Sequence, residues 1–193
     1  MARSSFDLAT LRARLSGRPP RRAFRLLAPR RAAVAIVLDP EGGVLLARRA
    51  SRRGDPWSGQ VSLPGGMAQP QDASLLETSM RETLEEVGVD LRHRAQPLGA
   101  LDEVRAMSHS GLRPLSISPF VFAVESRPAA RVGEEVESVF WLQLAEAARG
   151  SLDSRMRFPV LGVPLSFACW RCADQVVWGL TFGILRRLIS LGG

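Results

Sequence analysis

The chain has no lysine: all 26 of its basic residues are arginine. The absence runs the whole length. An arginine-rich stretch therefore reads first as a bias of the entire chain, and only second as a contact for anions or nucleic acid. Histidine is nearly absent as well, occurring only as His93 and His109, and cysteine is limited to Cys169 and Cys172. Two cysteines make no disulfide framework, which points to a reducing, cytoplasmic setting. Their Cys-Trp-Arg-Cys spacing fits half a zinc site or a redox pair. No second Cys or His pair lies nearby to complete a metal site, and buried thiols are the plainer reading. No apolar run approaches the roughly 20 residues that span a bilayer, so no membrane partner is expected. The first residues also lack the unbroken apolar core of a secretory signal.

The 193 residues, 46% of them apolar, suit one domain with a substantial core and a terminal extension. Charge is uneven. Residues 1–31 hold nine arginines against one acid, Asp7, which is about +8; the whole chain is +7, so the remainder is about −1. Residues 1–30 are expected to form an arginine-rich arm with a short helix, and residues 31–193 the functional domain. Such an arm also has the composition of an organelle transit peptide, which leaves targeting open beside a cytoplasmic location.

Apolar positions Phe6, Leu8, Leu11 and Leu15 recur at helical spacing, ended by Gly17, Pro19 and Pro20. Residues 32–38 read as a buried strand, 39–43 as a turn and 44–47 as the returning strand of a hairpin. Residues 48–60 read as a loop, and Val61-Ser62-Leu63 as a short strand stopped by Pro64-Gly65-Gly66. A helix is expected over 73–87, with Asp72 as N-cap and Gly88 as C-cap. Strands near 98–104, 117–124 and 138–142 and helices over 143–149 and 181–191 complete the pattern. No internal repeat is present. This irregular order predicts an α+β domain with a mixed sheet.

Glu82, Glu85 and Glu86 fall at i, i+3 and i+4, on one face of the predicted helix. Like charges at that spacing repel by a few tenths of a kcal/mol per pair, roughly. They also sit at the C-terminal end, where the helix dipole disfavours anions. A hard divalent cation reverses both penalties. The plain alternative is a solvated acidic face paired with arginine, Arg81 reaching Glu77 or Glu85. The preceding strand and its Gly65-Gly66 turn favour the cation. Glycines there let the backbone approach a metal or phosphate, and the Gly66 carbonyl is itself a candidate ligand.

Gly66, then Asp72, then Arg81-Glu82-Thr83-Leu84-Glu85-Glu86-Val87-Gly88-Val89 resembles the Nudix box. Asp72 replaces the usual glutamate, and one extra residue separates it from Arg81. Both departures, with Asp72-Ala73-Ser74, are similar to the coenzyme A pyrophosphatase branch. Leu45 to Arg49, Trp57 to Gly66, Glu135 to Leu142 and Trp178 to Thr181 resemble other segments of that branch, so the likeness covers roughly residues 30–191. It implies an α/β/α sandwich around a mixed sheet, and metal-dependent hydrolysis of a pyrophosphate bond in a nucleotide-linked substrate. Coenzyme A or an acyl derivative is the first choice, giving a 3′-phosphorylated AMP and a phosphopantetheine compound. The branch usually carries an arginine where this chain has Asp55. That keeps nucleotide sugars, dinucleotides and damaged nucleotides open, and beside them a module that senses a nucleotide without cleaving it.

The resemblance further implies Mg2+ or Mn2+ held by Glu82 and Glu86 with the Gly66 carbonyl, Glu85 sharing the site or positioning water, and Arg81 orienting a glutamate. The general base is either a box glutamate or one from outside it. Glu135, with its neighbour Glu134, is the outside candidate against the reading of a solvated turn. His109 is a weaker one. Arg48 and Arg49 are candidate forks for substrate phosphates, and Trp57 a candidate stacking surface for a base. Nucleic acid is not expected as a partner; a homodimer is left open.

Overall fold

The computed structural model describes residues 6–22, 30–51, 58–107, 114–160 and 162–193. Asp55, Trp57 and His109 lie outside them. The element order is α1 (Leu8–Leu15), β1 (Arg30–Leu38), β2 (Gly43–Arg49), β3 (Val61–Ser62), β4 (Gly65–Met67), α2 (Leu75–Val87), α3 (Leu91–Arg94), β5 (Ala95–Ala100), β6 (Val104–Met107), β7 (Pro114–Val124), β8 (Val136–Gln143), α4 (Leu144–Ala148), β9 (Asp153–Val160), β10 (Val163–Cys172), β11 (Gln175–Trp178) and α5 (Gly179–Gly192).

From Ala32 onward β1 is apolar, because both of its faces are covered there. Ile36 and Leu38 pack into one core with α1, α5, Trp170 and Val177. Ala35 and Val37 pack into a second core with Met80 and Val87 of α2 and with Phe122. The sheet is mixed, as expected: β1 runs parallel to β7, whereas β2, β4, β5, β6 and β8 join by antiparallel pairing. The expected α+β sandwich is therefore present, with α2 on one side of the sheet and α1 and α5 on the other.

The β1–β2 hairpin forms but parts early. Leu38 opposes Val44 beside the turn; β2 then takes β8 as its partner. Further back along β1, residues Ala32 to Val34 pair instead with β4. The parting of the hairpin thus makes the slot in which the Gly65-Gly66 segment lies. Asp39 holds the turn, accepting from the Gly43 N–H at 2.7 Å and from Arg127 Nε at 2.6 Å.

Two expectations are corrected, and one sheet is added to them. Asp72 does not cap α2: the cap is Ser74, whose Oγ accepts from the Glu77 N–H at 3.2 Å, and the helix starts at Leu75. Asp72 is drawn instead to the guanidinium of Arg81, a stronger partner than a backbone amide. The single strand expected near 98–104 is two strands, β5 and β6. The three-stranded sheet β9–β10–β11 was not foreseen, because Pro159, Pro164 and Gly162 break its apolar pattern. Cys169 and Cys172 both lie in β10, and an odd separation along a strand sends them to opposite faces. Cys169 is buried and Cys172 half-buried, so the two thiols do not share one surface.

No helix among the described residues is long and apolar enough to cross a membrane. α1 is capped by Asp7, which accepts from the Thr10 N–H at 2.7 Å. The Asp7 N–H in turn donates to the Gly192 carbonyl of α5 at 2.7 Å. Leu11 is fully buried. Leu11→Ala is expected to lower unfolding free energy by about 2–5 kcal/mol in a urea melt. A loss under about 0.5 kcal/mol, typical of surface positions, would mean that α1 is a peripheral arm.

Candidate active site

α2 faces the sheet with Thr78, Ser79, Met80, Thr83 and Val87, all buried. The buried hydroxyls are satisfied: Ser79 Oγ donates to the Leu76 carbonyl, Thr83 Oγ1 to the Ser79 carbonyl and Thr78 Oγ1 to Asp72. Gly88 ends the helix at φ 68°, a left-handed conformation that favours glycine. This seating leaves Glu82 and Glu86 along the edge next to β4, while Glu85 stays exposed.

The approach of β4 to this edge depends on missing side chains. A Cβ on Gly66 would lie 2.6 Å from the Glu82 carboxyl carbon. A Cβ on Gly65, at φ +150°, would lie 2.3 Å from the Ala33 carbonyl oxygen. With neither present, the Gly65 N–H donates to Glu86 Oε2 at 3.0 Å.

Arg81 ties the loop, the strand and the helix together. Its Nε and Nη2 donate to the two Asp72 oxygens at 2.9 and 3.0 Å, and Nη2 also to the Met67 carbonyl at 3.1 Å. Its Nη1 lies 2.8 Å from Glu82 Oε1 and 2.9 Å from Glu85 Oε2. The guanidinium therefore holds two glutamates of the face, as a positioning group would. It keeps the Asp72 carboxyl well below the usual carboxylate range, and Asp72 in return raises the Arg81 pKa.

The glutamates respond to burial in the opposite sense. Glu86 is pushed up to about 7, first by burial and then by the charges of Glu82 and Glu135; the Gly65 N–H and Arg49 pull it down. Glu82 is also raised, chiefly by burial, with Arg81 opposing and Glu85 and Glu135 adding repulsion. Glu85, which is exposed, is the outer member of the set.

The structure thus gathers Gly66, Glu82, Glu85, Glu86, Arg49 and Glu135 in one region. Arg48 and Arg49 face different partners: Arg49 acts on Glu86, whereas Arg48 pairs with Glu137 at 3.5 Å and Asp174 at 3.6 Å. Trp57 and His109 fall outside the described residues. Sequence reading missed the backbone partners, the Gly65 N–H and the Met67 carbonyl, because no side-chain pattern encodes them. It also missed the Asp72–Arg81 clamp, which joins a loop to a helix across a fold.

The raised Glu86 makes a signed prediction. Glu86 has an ordinary value near 4.5 and a folded value of about 7, so between these the folded state binds more protons than the unfolded state. Stability from this group is full below about pH 4.5 and is lost as pH rises through about 7. In chelator, Glu86→Gln is expected to match the parent near pH 4.5 and to exceed it at pH 8 by on the order of a few kcal/mol in thermal or urea melts. A constant difference across this range would contradict the burial argument.

Comparison with known proteins shows the family. The NUDIX domain model matches residues 28–159. An uncharacterized Nudix hydrolase, NudL, of Yersinia enterocolitica is 36% identical over 158 residues, covering 80% of this chain and 76% of the relative. An uncharacterized protein of Schizosaccharomyces pombe is 44% identical over 117 residues, 59% of this chain but 36% of that longer relative. Among solved structures, a Nudix hydrolase of Alicyclobacillus acidocaldarius aligns with TM-score 0.56 at 16% identity, covering 83% of this chain and 91% of that one. A C. elegans Ap4A hydrolase in a binary complex aligns with TM-score 0.52 at 15% identity, covering 61% and 82%. These two likenesses speak to the fold alone. With more than half of its length matched by one family model, the chain belongs to the Nudix hydrolase family.

Proposed function

We propose that this hydrolase cleaves the pyrophosphate bond of coenzyme A or an acyl-coenzyme A, using Mg2+ or Mn2+ bound at the edge of α2. The observation that carries the site is the Glu82–Glu86 pair. Two part-buried carboxylates are pushed up by burial, Glu86 also by the charge of Glu82, against a strand that needs glycine to come so close. Such a cluster is unfavourable until a cation offsets it.

The donor set fits a hard divalent ion. Glu82 and Glu86 supply carboxylate oxygens and Gly66 a carbonyl, in a cradle that a Cβ would fill. Among the described residues no three acidic, histidine or cysteine side chains converge as a ready-made cage. Magnesium in phosphate-handling sites characteristically takes one or two carboxylates and leaves the rest to water and substrate oxygens. When bound, the ion neutralises pyrophosphate charge and acidifies water.

The chain's own residues have distinct tasks. Arg81 orients Glu82 and Glu85 through its Nη1. Glu85 shares the site or positions the attacking water. Glu135 reaches the cluster from outside the helix, and its charge acts on both Glu82 and Glu86; it is the proton acceptor of this reading. Arg49 lies close enough to stabilise the Glu86 carboxylate and is the better placed of the two arginines to bind substrate phosphates. Arg48 is engaged with Glu137 and Asp174, and Trp57 stays a candidate from sequence alone. Three intact glutamates weigh against a sensing role without cleavage.

The test is a panel of coenzyme A, ADP-ribose, NADH and diadenosine polyphosphates with Mg2+ or Mn2+. Coenzyme A is expected to be cleaved fastest, to a 3′-phosphorylated AMP. Preference for another member moves the substrate and keeps the chemistry; cleavage of none removes the hydrolytic reading. Glu82→Gln and Glu86→Gln are each expected to lower kcat on the order of 10²- to 10³-fold, the usual effect of removing one electrostatic stabiliser. Full activity in Glu86→Gln would overturn the ligand assignment.

A further inference from the structure

A helix leaves its last carbonyls without partners of its own. Two of these at the end of α2 are taken by a segment more than forty residues away in sequence. The Gly133 N–H donates to the Glu86 carbonyl at 2.8 Å, and the Arg131 N–H to the Val87 carbonyl at 2.9 Å. The contact is backbone against backbone. A Cβ on Gly133 would lie 2.6 Å from the Glu85 carbonyl oxygen and 3.3 Å from that of Glu86. Gly133 is not among the glycines of positive φ, so space alone demands it there. No rotamer change relieves a clash with backbone.

The same segment is anchored at its other end. The Val136 N–H donates to the Gly133 carbonyl at 3.2 Å, and the Ala50 N–H, next to Arg49, donates to the Glu135 carbonyl at 2.9 Å. β8 then begins at Val136, paired with Arg49. Residues 131–136 are therefore strung between the end of the glutamate helix and the end of β2, and Glu135 sits on that span.

We infer that Gly133 is a positioning residue, which locks residues 131–136 onto the terminal carbonyls of α2 and so sets Glu135 against Glu82 and Glu86. The inference rests on the role proposed above for Glu135. Glu135 is close enough for its charge to act on both glutamates. Any side chain at position 133 must lift the strap from the helix end by several tenths of an ångström or more. A misplacement near 1 Å in a catalytic site costs roughly 10²-fold in rate. The inference also gives a reason for glycine at a place where turn geometry does not ask for it.

The experiment is a kinetic double-mutant cycle on the full chain, with Mg2+ and the panel compound that the parent cleaves fastest. Gly133→Ala is expected to lower kcat about ten-fold or more while KM stays within about two-fold. Glu135→Gln is expected to lower kcat by itself. In the double variant the Gly133→Ala effect is expected to vanish, because no carboxylate is left to place. A merely structural glycine would instead lower activity equally in both backgrounds, and that result overturns the inference alone. Full activity in Glu135→Gln overturns both the inference and the role of Glu135, while the Glu82 and Glu86 variants report separately on the metal site. Val132→Gly is the companion variant should Gly133→Ala fail to fold. Val132 is 51% exposed, so this change loosens the strap without a clash. Its kcat loss is smaller and must likewise disappear in Glu135→Gln; persistence there counts against the inference.

Discussion

One cation holds the working part of this molecule in shape. Arg81 is largely buried, and its guanidinium meets Asp72, Met67, Glu82 and Glu85 within 3.1 Å. Those partners come from a loop, a strand and a helix. Without the guanidinium, the Asp72 and Glu82 carboxylates would lose the cation that pairs them. The planar fork matters as much as the charge: Nε and Nη2 engage both oxygens of Asp72, which leaves Nη1 for the two glutamates. A point charge in the same place would hold the helix but not fix the carboxylate geometry.

Around this clamp the site is shaped by atoms that are missing. Gly65 lies against the backbone of β1, Gly66 against the Glu82 carboxylate and Gly133 against the end of α2, each closer than a Cβ would permit. The three contacts bring backbone amides and a carbonyl to a helix whose side chains repel one another. The result is a cluster whose protonation is set by burial, with Glu86 near neutrality in the absence of a cation. A cation, or a rise in acidity, relieves the same repulsion. At the proposed metal site, cation binding and proton binding would therefore be linked.

The sheet supplies the frame for those contacts. Because β1 is shared between β7 on one side and β2 and β4 on the other, the hairpin cannot stay paired along its length. Its parting admits the glycine strand, and the sheet carries α2 on one face and α1 with α5 on the opposite one. The glutamate-bearing edge is thus a consequence of how β1 divides its hydrogen bonds, not of any local loop preference.

Much of this was legible from residue order alone. The apolar run of β1, the turn at Asp39, the glutamate spacing of α2 and the glycine stop at Gly88 are local patterns, governed by periodicity and by the few residues that tolerate special backbone angles. They sufficed for the fold class, the main elements and the acidic face. Asp72 reads as a helix cap in sequence, because a cap is the local use of an aspartate there; only the fold brings Arg81 within reach and gives it a stronger partner. Cys169 and Cys172 have the spacing of a pair, but buried thiols are the plainer reading, and a strand sends them to opposite faces. Arg48 and Arg49 read alike as forks for phosphate until the fold gives Arg48 to Glu137 and Asp174 and sets Arg49 near Glu86. Gly133 carries no local signal at all, since its need for space arises from a helix end that folding alone brings against it. Sequence determines what each segment tends to be, because propensity and periodicity act between near neighbours. Tertiary structure decides which charges meet and which backbones touch, because those distances exist only once the chain has closed on itself.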